Sequence, residues 1–244
     1  KMNLTIFKKE INQFFSSLVG YIAIIIFLVF TGLISFVFPN SSVLSQGFAN
    51  LNVYFELAPL LFLFLIPAIT MRLFSEEFNK GTIELLSTKP LSENNIVLGK
   101  YFAALVLVIF SVLPTLIYFY TVYKLGAPEG NLDFGGIMGS YIGLILLGAS
   151  FVAIGLFSSV VTKNQILAFL LAALLCYVFY LGFDQIASLP FSFGKFDYFI
   201  ERLGINSHYN SMSRGVIDTR DVLYFISLIS IFILLTKFVL SKKK

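Results

Sequence analysis

Residues 72–93 read Arg-Leu-Phe-Ser-Glu-Glu-Phe-Asn-Lys-Gly-Thr-Ile-Glu-Leu-Leu-Ser-Thr-Lys-Pro-Leu-Ser-Glu and form a charged island between two long apolar runs. Acidic and basic residues alternate there with the apolar residues Ile83, Leu85 and Leu86. A connector that only crossed an aqueous surface would not need those apolar side chains. We therefore expect this island to dock on a soluble partner, whereas the runs on either side of it are suited to lipid.

The composition of the whole chain is that of an integral membrane protein. Of its 244 residues, 58% are hydrophobic and only 12% are charged, and the mean hydropathy is +0.90. Soluble domains average about 25% charged residues. Because a helix needs about 20 mostly apolar residues to cross a bilayer, the length allows about six spans and leaves no room for a soluble catalytic domain.

The apolar runs divide the chain, which we treat as one transmembrane domain over residues 1–244. Residues 1–17 place most of their apolar side chains on one helical face, which predicts an N-terminal interfacial helix. The first apolar run is too long for a signal-peptide core and is expected to stay as a membrane anchor. Residues 72–97, which include the charged island, connect spans two and three, and residues 190–221 form an outer segment with short interfacial or re-entrant helices. The six predicted spans are residues 18–38, 51–71, 98–122, 137–161, 166–189 and 222–240.

The distribution of basic residues predicts the orientation of these spans. With both termini in the cytoplasm, the cytoplasmic segments hold 12 lysines and arginines and the outer segments hold 5. Cytoplasmic loops carry the excess of basic residues in membrane proteins. The sequence thus places the charged island on the cytoplasmic side.

Enzyme chemistry finds no support in the sequence. Neither Gly-Lys pair fits a phosphate-binding loop: Gly99-Lys100 is followed by Tyr101 and Gly194-Lys195 by Phe196, and both lack the glycine five residues earlier that such a loop requires. One cysteine and one histidine exclude a Cys/His metal site. Because the basic residues are scattered, the net charge of +4 does not indicate nucleic-acid binding. We expect no catalytic residue, no metal and no cofactor bound by this chain.

Local chemistry inside the island outlines a second short helix. Gly81 is suited to end the preceding helix in a left-handed cap. Thr82 can then cap a helix over residues 83–88, which stops before Pro90, and Ser92 is placed to cap the third span. With its apolar residues exposed, such a helix would fit a groove in a cytoplasmic protein. A surface loop with an amphipathic turn lying on the membrane is the alternative.

Two runs resemble a known family. Residues 76–92, Glu-Glu-Phe-Asn-Lys-Gly-Thr-Ile-Glu-Leu-Leu-Ser-Thr-Lys-Pro-Leu-Ser, resemble the pattern of ABC-2-type transporter permeases in which acidic residues precede Gly-Thr-x-Glu-Leu-Leu and a proline follows it. Residues 211–225, Ser-Met-Ser-Arg-Gly-Val-Ile-Asp-Thr-Arg-Asp-Val-Leu-Tyr-Phe, resemble the entry to the last span in that family. Both together are similar to its gliding-motility-associated (GldF-like) branch. Six spans and the loop pattern extend the resemblance over nearly the whole chain.

The resemblance implies an all-helical permease of the bacterial cytoplasmic (inner) membrane. Such a permease pairs with a second membrane subunit, identical or different, or with an auxiliary gliding protein, and with cytoplasmic ATPases that carry the ATP and magnesium. A coupling helix between spans two and three would insert into an ATPase groove. The implied ATPase-binding residues are Glu76, Glu77, Gly81, Thr82, Ile83, Glu84, Leu85, Leu86 and Pro90, and the outer-segment motif comprises Arg214, Gly215, Asp218 and Asp221.

Two carboxylates close to apolar spans are further candidates. Glu56 and Asp184 lie near the outer ends of spans two and five. Charges inside a membrane are functional hypotheses by default, and a role in substrate binding stands beside one in helix pairing or interfacial solvation. The resemblance implies that this permease couples ATP hydrolysis by a separate ATPase subunit to export or to gliding-machinery function. The rival function is that of a structural or mechanical component of a gliding or secretion machine, which moves a protein partner rather than a solute.

Overall fold

The computed structural model describes residues 4–39, 42–45, 47–83, 92–188 and 195–243, and these residues form helices joined by turns and short loops. Short 3-10 and π-helical turns at Leu113–Thr115 and Val178–Gly182 continue the helices that precede them. The α-helices are α1 (Leu4–Phe15), α2 (Leu18–Phe36), α3 (Asn52–Thr70), α4 (Ser75–Asn79), α5 (Glu93–Val112), α6 (Leu116–Leu125), α7 (Phe134–Val161), α8 (Gln165–Tyr177), α9 (Phe183–Ala187), α10 (Lys195–Glu201), α11 (Ile205–Ser213) and α12 (Thr219–Lys243).

The predicted all-helical membrane class is confirmed. Within the described residues, five helical stretches are long and apolar enough to cross a membrane: Asn52–Asn79, Glu93–Leu125, Phe134–Val161, Gln165–Ala187 and Thr219–Lys243. Helices α1 and α2 meet at a bend of 68° and provide a sixth candidate if the pair is one span.

Several helices extend beyond the apolar runs that predict them. Helix α5, which contains the third predicted span, begins at Glu93, and α12, which contains the last, begins at Thr219. The corresponding apolar runs begin at residues 98 and 222. Helix α3 continues through Pro59 and Pro67, which neighbouring helices can accommodate in a membrane protein. Apolar runs mark the part of a helix that suits lipid, but polar residues with good caps lengthen the helix at either end.

Helix α7 is the most deeply buried helix, and small residues along it allow its neighbours to approach closely. A Cβ atom added at Gly155 would lie 2.1 Å from Thr70 Oγ1 on α3, and one at Gly148 would lie 3.0 Å from Val108 Cγ1 on α5. At Gly143 it would lie 3.2 Å from the Tyr209 ring on α11. Close packing on small residues is typical of membrane helices, which lack a hydrophobic force between them. Glycines of the fourth span therefore serve packing inside this chain.

Candidate functional site

The described part of the charged island ends in the turn that the sequence predicts. Gly81 has a φ of +68°, in the left-handed region that favours glycine, and the Thr82 amide donates to the Glu77 carbonyl at 3.0 Å. Ser92 caps α5, because its side chain accepts a hydrogen bond from the Asn95 amide. These two local predictions are confirmed. Residues 84–91, which include Glu84, Leu85, Leu86 and Pro90, lie outside the described residues, and the helix predicted over residues 83–88 stays a prediction.

The predicted exposure of Ile83 is wrong. Its side chain is buried and belongs to the hydrophobic core. Because Gly81 reverses the backbone direction immediately after α4, the next apolar side chain turns back toward the helices instead of outward. Ile83 therefore holds the middle of the charged island against the hydrophobic core.

A buried cluster of charged side chains lies beside α4, the helix that precedes the turn at Gly81. Lys100 on α5 is 1% exposed, and its Nζ lies 2.7 Å from Glu10 Oε1 on α1 and 3.0 Å from Glu77 Oε1 on α4. It also donates to the Leu73 carbonyl. Buried charges are tolerated when they are paired and hydrogen-bonded. One lysine thus joins three helices at the root of the island.

Lys9 completes the cluster from its exposed side. Its Nζ donates to Glu77 Oε1 at 2.6 Å and lies 3.5 Å from Glu10 Oε1. Partial burial disfavours the charged ammonium, but the hydrogen bond to Glu77 and the negative charges of both carboxylates outweigh it and raise the pKa of Lys9. The two lysines and two glutamates balance in charge. By contrast, Glu76 is outside this cluster, is partly exposed and pairs with Lys80 at 2.6 Å.

Sequence reasoning missed this cluster, although one signal was present. Lys100 is one of the 12 basic residues that the charge count places on the cytoplasmic side, and it lies two residues inside the apolar run that begins at residue 98. An ionisable residue inside a membrane helix is rare and normally has a specific partner. That rule singles out Lys100, but it does not identify Glu10 and Glu77 as the partners.

Near the charge cluster, the hydroxyl of Ser159 on α7 binds the turn that precedes α4. Ser159 Oγ accepts from the Phe74 and Ser75 amides at 2.9 and 3.1 Å and donates to the Met71 carbonyl at 3.1 Å. These amides belong to the turn that leads into α4. The three bonds use the full capacity of a serine hydroxyl in this setting. The turn before α4 is thereby fixed on the C-terminal end of α7.

The outer-segment motif lies at the opposite, N-terminal end of α7. Gly215 has a φ of +83°, and a Cβ atom there would lie 2.8 Å from the Gly135 carbonyl carbon and 2.9 Å from the Gly136 nitrogen. Only glycine satisfies both the backbone angle and the close approach. Arg214 ends α11 and is exposed. The Arg-Gly pair thus turns the chain from α11 toward α12 against α7.

The two aspartates of that motif fix the start of α12. Asp218 accepts a hydrogen bond from the Arg220 amide at 2.9 Å, as helix-capping residues do. Asp221 is buried, and its Oδ1 lies 2.7 Å from His208 Nδ1. The His208 ring stacks on Tyr224 with a centroid distance of 3.9 Å. These contacts hold α11 on α12.

Glu56 and Asp184 have different surroundings. Glu56 is exposed on α3 and lines a cavity of about 590 Å³. Asp184 accepts a hydrogen bond from Asn206 Nδ2 at 2.6 Å, which joins α9 to α11, while its Oδ1 is buried without a hydrogen-bond partner. Other polar and aromatic residues of the cavity wall include Tyr180, Asn206, Tyr209, Asn210 and Arg214.

A comparison with protein families agrees with this architecture. The model of the ABC-2 family transporter protein matches residues 4–243, nearly the whole chain. The chain belongs to the ABC-2 transporter family. None of the curated proteins matches it. Permeases of this family are membrane components that generally work with an ABC ATPase partner. The chain is accordingly a multi-pass membrane permease subunit.

The single histidine of this permease, His208, is held by hydrogen bonds to other parts of the chain. His208 Nδ1 faces Asp221, and its Nε2 lies 2.9 Å from the Arg202 carbonyl oxygen. Both ring nitrogens are therefore engaged, and neither is directed at a serine hydroxyl. Among the described residues, no group of three histidine, cysteine, aspartate or glutamate side chains is arranged to hold a metal ion.

Proposed function

We propose that this permease couples ATP hydrolysis by a separate, magnesium-dependent ATPase to movement of its membrane helices, through residues 76–92. It acts in the bacterial cytoplasmic membrane with both termini in the cytoplasm, as the excess of basic residues on that side predicts. A second permease subunit, identical or different, completes the membrane part.

The buried charge cluster supports this proposal most directly. Lys100 binds Glu77 of α4, Glu10 of α1 and the carbonyl of Leu73, so that three elements meet at one ammonium group. Separating a buried ion pair costs about 3–5 kcal/mol, because it leaves an uncompensated charge. A force applied to the segment after α4 is therefore carried to α1 and α5 rather than absorbed in a flexible loop.

A second path leads from the same segment to the centre of the bundle. Ser159 holds the turn before α4 on α7, and Lys243 at the end of α12 donates to the Val160 and Val161 carbonyls at the end of α7. Lysine is favourable at that position because it satisfies free carbonyls at the negative end of the helix dipole. Movement of α4 would thus reach α7 and, with it, the outer cavity.

What the permease moves, a solute or a protein partner, is a separate question from how it is energised. The resemblance of residues 76–92 and 211–225 to the gliding-motility-associated branch supports a role in a gliding machine. The alternative is a mechanical component that moves a protein partner. The polar and aromatic wall of the cavity at Glu56 favours a solute, since ligand cavities combine aromatic surface with a few polar groups.

The docking role can be tested by replacing both Leu85 and Leu86 with aspartate. If these leucines enter an apolar groove of the ATPase, the double variant inserts in the membrane but no longer retains the ATPase during mild-detergent affinity purification. A matched control replaces Leu44 and Phe48 with aspartate; these are two exposed apolar residues of the loop between α2 and α3. The control variant should retain the ATPase. Equal ATPase recovery from the two variants contradicts the assignment.

The same purification from native membranes identifies the partners by mass. A soluble protein with a Gly-x-x-x-x-Gly-Lys-Ser/Thr loop supports an ATP-driven permease, and a second multi-pass protein identifies a heterodimer. Recovery of membrane partners without any ATPase favours the mechanical function and contradicts the coupling role of residues 76–92.

A further inference from the structure

A second cavity, of about 190 Å³, lies beside the charge cluster where α1 bends into α2. Its mouth carries the exposed polar residues Gln13 and Ser16, while its floor is formed by the buried apolar residues Ala103, Ala104 and Leu107 of α5. A polar entrance above an apolar floor is suited to an amphiphile at the membrane surface.

Arg72 provides the cationic group of this cavity. Its Nη1 donates to Ser17 Oγ at 2.8 Å, but its Nε is buried and has no hydrogen-bond partner in the structure. Arg72 also forms no ion pair with any carboxylate of the described residues. Buried donors are nearly always satisfied, and an arginine fork matches a phosphate with two parallel hydrogen bonds.

The acidic residues of the cavity wall do not offset Arg72, because each is already paired. Glu10 binds Lys100 at 2.7 Å, and Glu76 binds Lys80 at 2.6 Å. The cavity wall and the ion pairs attached to it contain four basic groups, Lys9, Arg72, Lys80 and Lys100, and three acidic ones, Glu10, Glu76 and Glu77. The unmatched positive charge is therefore that of Arg72.

We propose that this cavity binds the phosphate headgroup of an anionic glycerophospholipid. Arg72 Nε and one terminal nitrogen hold the phosphate, Ser16 and Gln13 contact the glycerol side, and an acyl chain leaves along the apolar residues of α5. The volume is below the roughly 300–1,000 Å³ of sites that enclose whole drug-sized ligands, which suits a headgroup with the remainder of the lipid in the bilayer. Basic pockets between membrane helices recognise anionic headgroups by the same chemistry.

The probe is phosphatidylglycerol. The full-length protein is reconstituted in bilayer discs of phosphatidylglycerol and phosphatidylcholine in equal parts, returned to detergent, and analysed by native mass spectrometry for lipid that stays bound. We expect one retained phosphatidylglycerol per chain. Arg72→Gln keeps a polar side chain but loses the charge and the fork, and should lower retention by about tenfold or more.

Two further variants make the result specific. Arg220→Gln removes the same charge from an exposed arginine near the start of α12 and should retain lipid as the unmodified protein does. Ala68→Phe fills the cavity from α3 while leaving Arg72 in place, and should also expel the lipid, which keeps the test valid if Arg72→Gln folds poorly. Undiminished retention by both cavity variants would overturn the proposal.

Inorganic phosphate distinguishes a lipid from a free anion. An excess of phosphate should displace little phosphatidylglycerol, because the acyl chain adds apolar contact that the ion lacks. Displacement by phosphate alone, or equal retention of phosphatidylcholine, would overturn the assignment to an anionic lipid. The site requires no ATPase, so this experiment and the docking experiment at Leu85 and Leu86 fail independently.

Discussion

Lys100 and Glu10 lie 90 positions apart in the sequence, and yet Lys100 Nζ donates to Glu10 Oε1 at 2.7 Å, with both side chains buried. The contact joins the N-terminal helix to the helix that follows the charged island. Because Glu77 binds the same ammonium at 3.0 Å, the island itself, the helix that follows it and the N-terminal helix share one electrostatic centre. Movement of any one of these elements strains the other two.

Replacing Lys100 with methionine should strongly destabilise the protein. Methionine keeps most of the apolar stem but leaves Glu10 and Glu77 close together and buried, with only the half-exposed Lys9 to offset them. We expect a loss of about 3–5 kcal/mol in the free energy of unfolding, as for other broken buried pairs. Thermal unfolding of the detergent-solubilised variant measures it.

The control for this variant is Lys80→Met, which breaks an ion pair of similar length on the surface. Its side chain is 65% exposed, and exposed pairs contribute about 0–1 kcal/mol. If the two variants lower the unfolding temperature equally, the buried Lys100 cluster stabilises the protein no more than a surface ion pair does.

Features that depend on adjacent residues were predictable from the sequence. The number of apolar runs gave the helical membrane class, because each run is long enough to span a bilayer. The left-handed turn at Gly81 and the cap at Ser92 also followed, since a glycine conformation and a side-chain cap involve only neighbouring positions.

Features that depend on which helices meet were not predictable. The sequence identifies a lysine at position 100 but does not place α1 and α4 beside it. The burial of Ile83 likewise depends on the direction of the chain after Gly81 relative to the whole bundle. The Arg-Gly motif was recognised by resemblance alone, whereas its physical reason, the contact of Gly215 with Gly135 and Gly136, appears only once α11 lies on α7.

Gly215→Ala should destabilise the protein more than Gly81→Ala. Both glycines have a positive φ, +83° and +68°, so both variants carry a backbone cost of about 1–2 kcal/mol. At Gly215 the new methyl also meets the backbone of α7, whereas at Gly81 nothing lies within 4 Å. We expect overpacking to add about 1–3 kcal/mol at Gly215. Paired thermal unfolding measurements compare the two, and an equal shift would contradict the close approach to α7.

Introduced cysteines test the orientation of the permease. Ser45 is exposed in the turns after α2, and Lys80 is exposed after α4. In spheroplasts, a membrane-impermeant maleimide should label Ser45→Cys directly and Lys80→Cys only after permeabilisation. The unmodified chain is the control, since its only cysteine, Cys176, is fully buried. The reverse labelling pattern would place the charged island outside and rule out a cytoplasmic ATPase partner.

Ser159→Ala should loosen α4 without disturbing α7 itself. The variant leaves the buried Phe74 and Ser75 amides without their acceptor, and each unsatisfied group costs about 1–3 kcal/mol. The weakened attachment should expose the island to protease, so trypsin is expected to cleave after Lys80 faster than in the unmodified protein.

Ser158 provides a matched control one residue away. It is equally buried, but its hydroxyl donates only to the Ile154 carbonyl in its own helix, an arrangement whose loss changes helix stability little. Ser158→Ala should therefore leave the cleavage rate unchanged. Equal cleavage in the two variants would show that the hydroxyl of Ser159 does not hold the island on α7, and the path from α4 to the outer cavity would have to run through Lys100 alone.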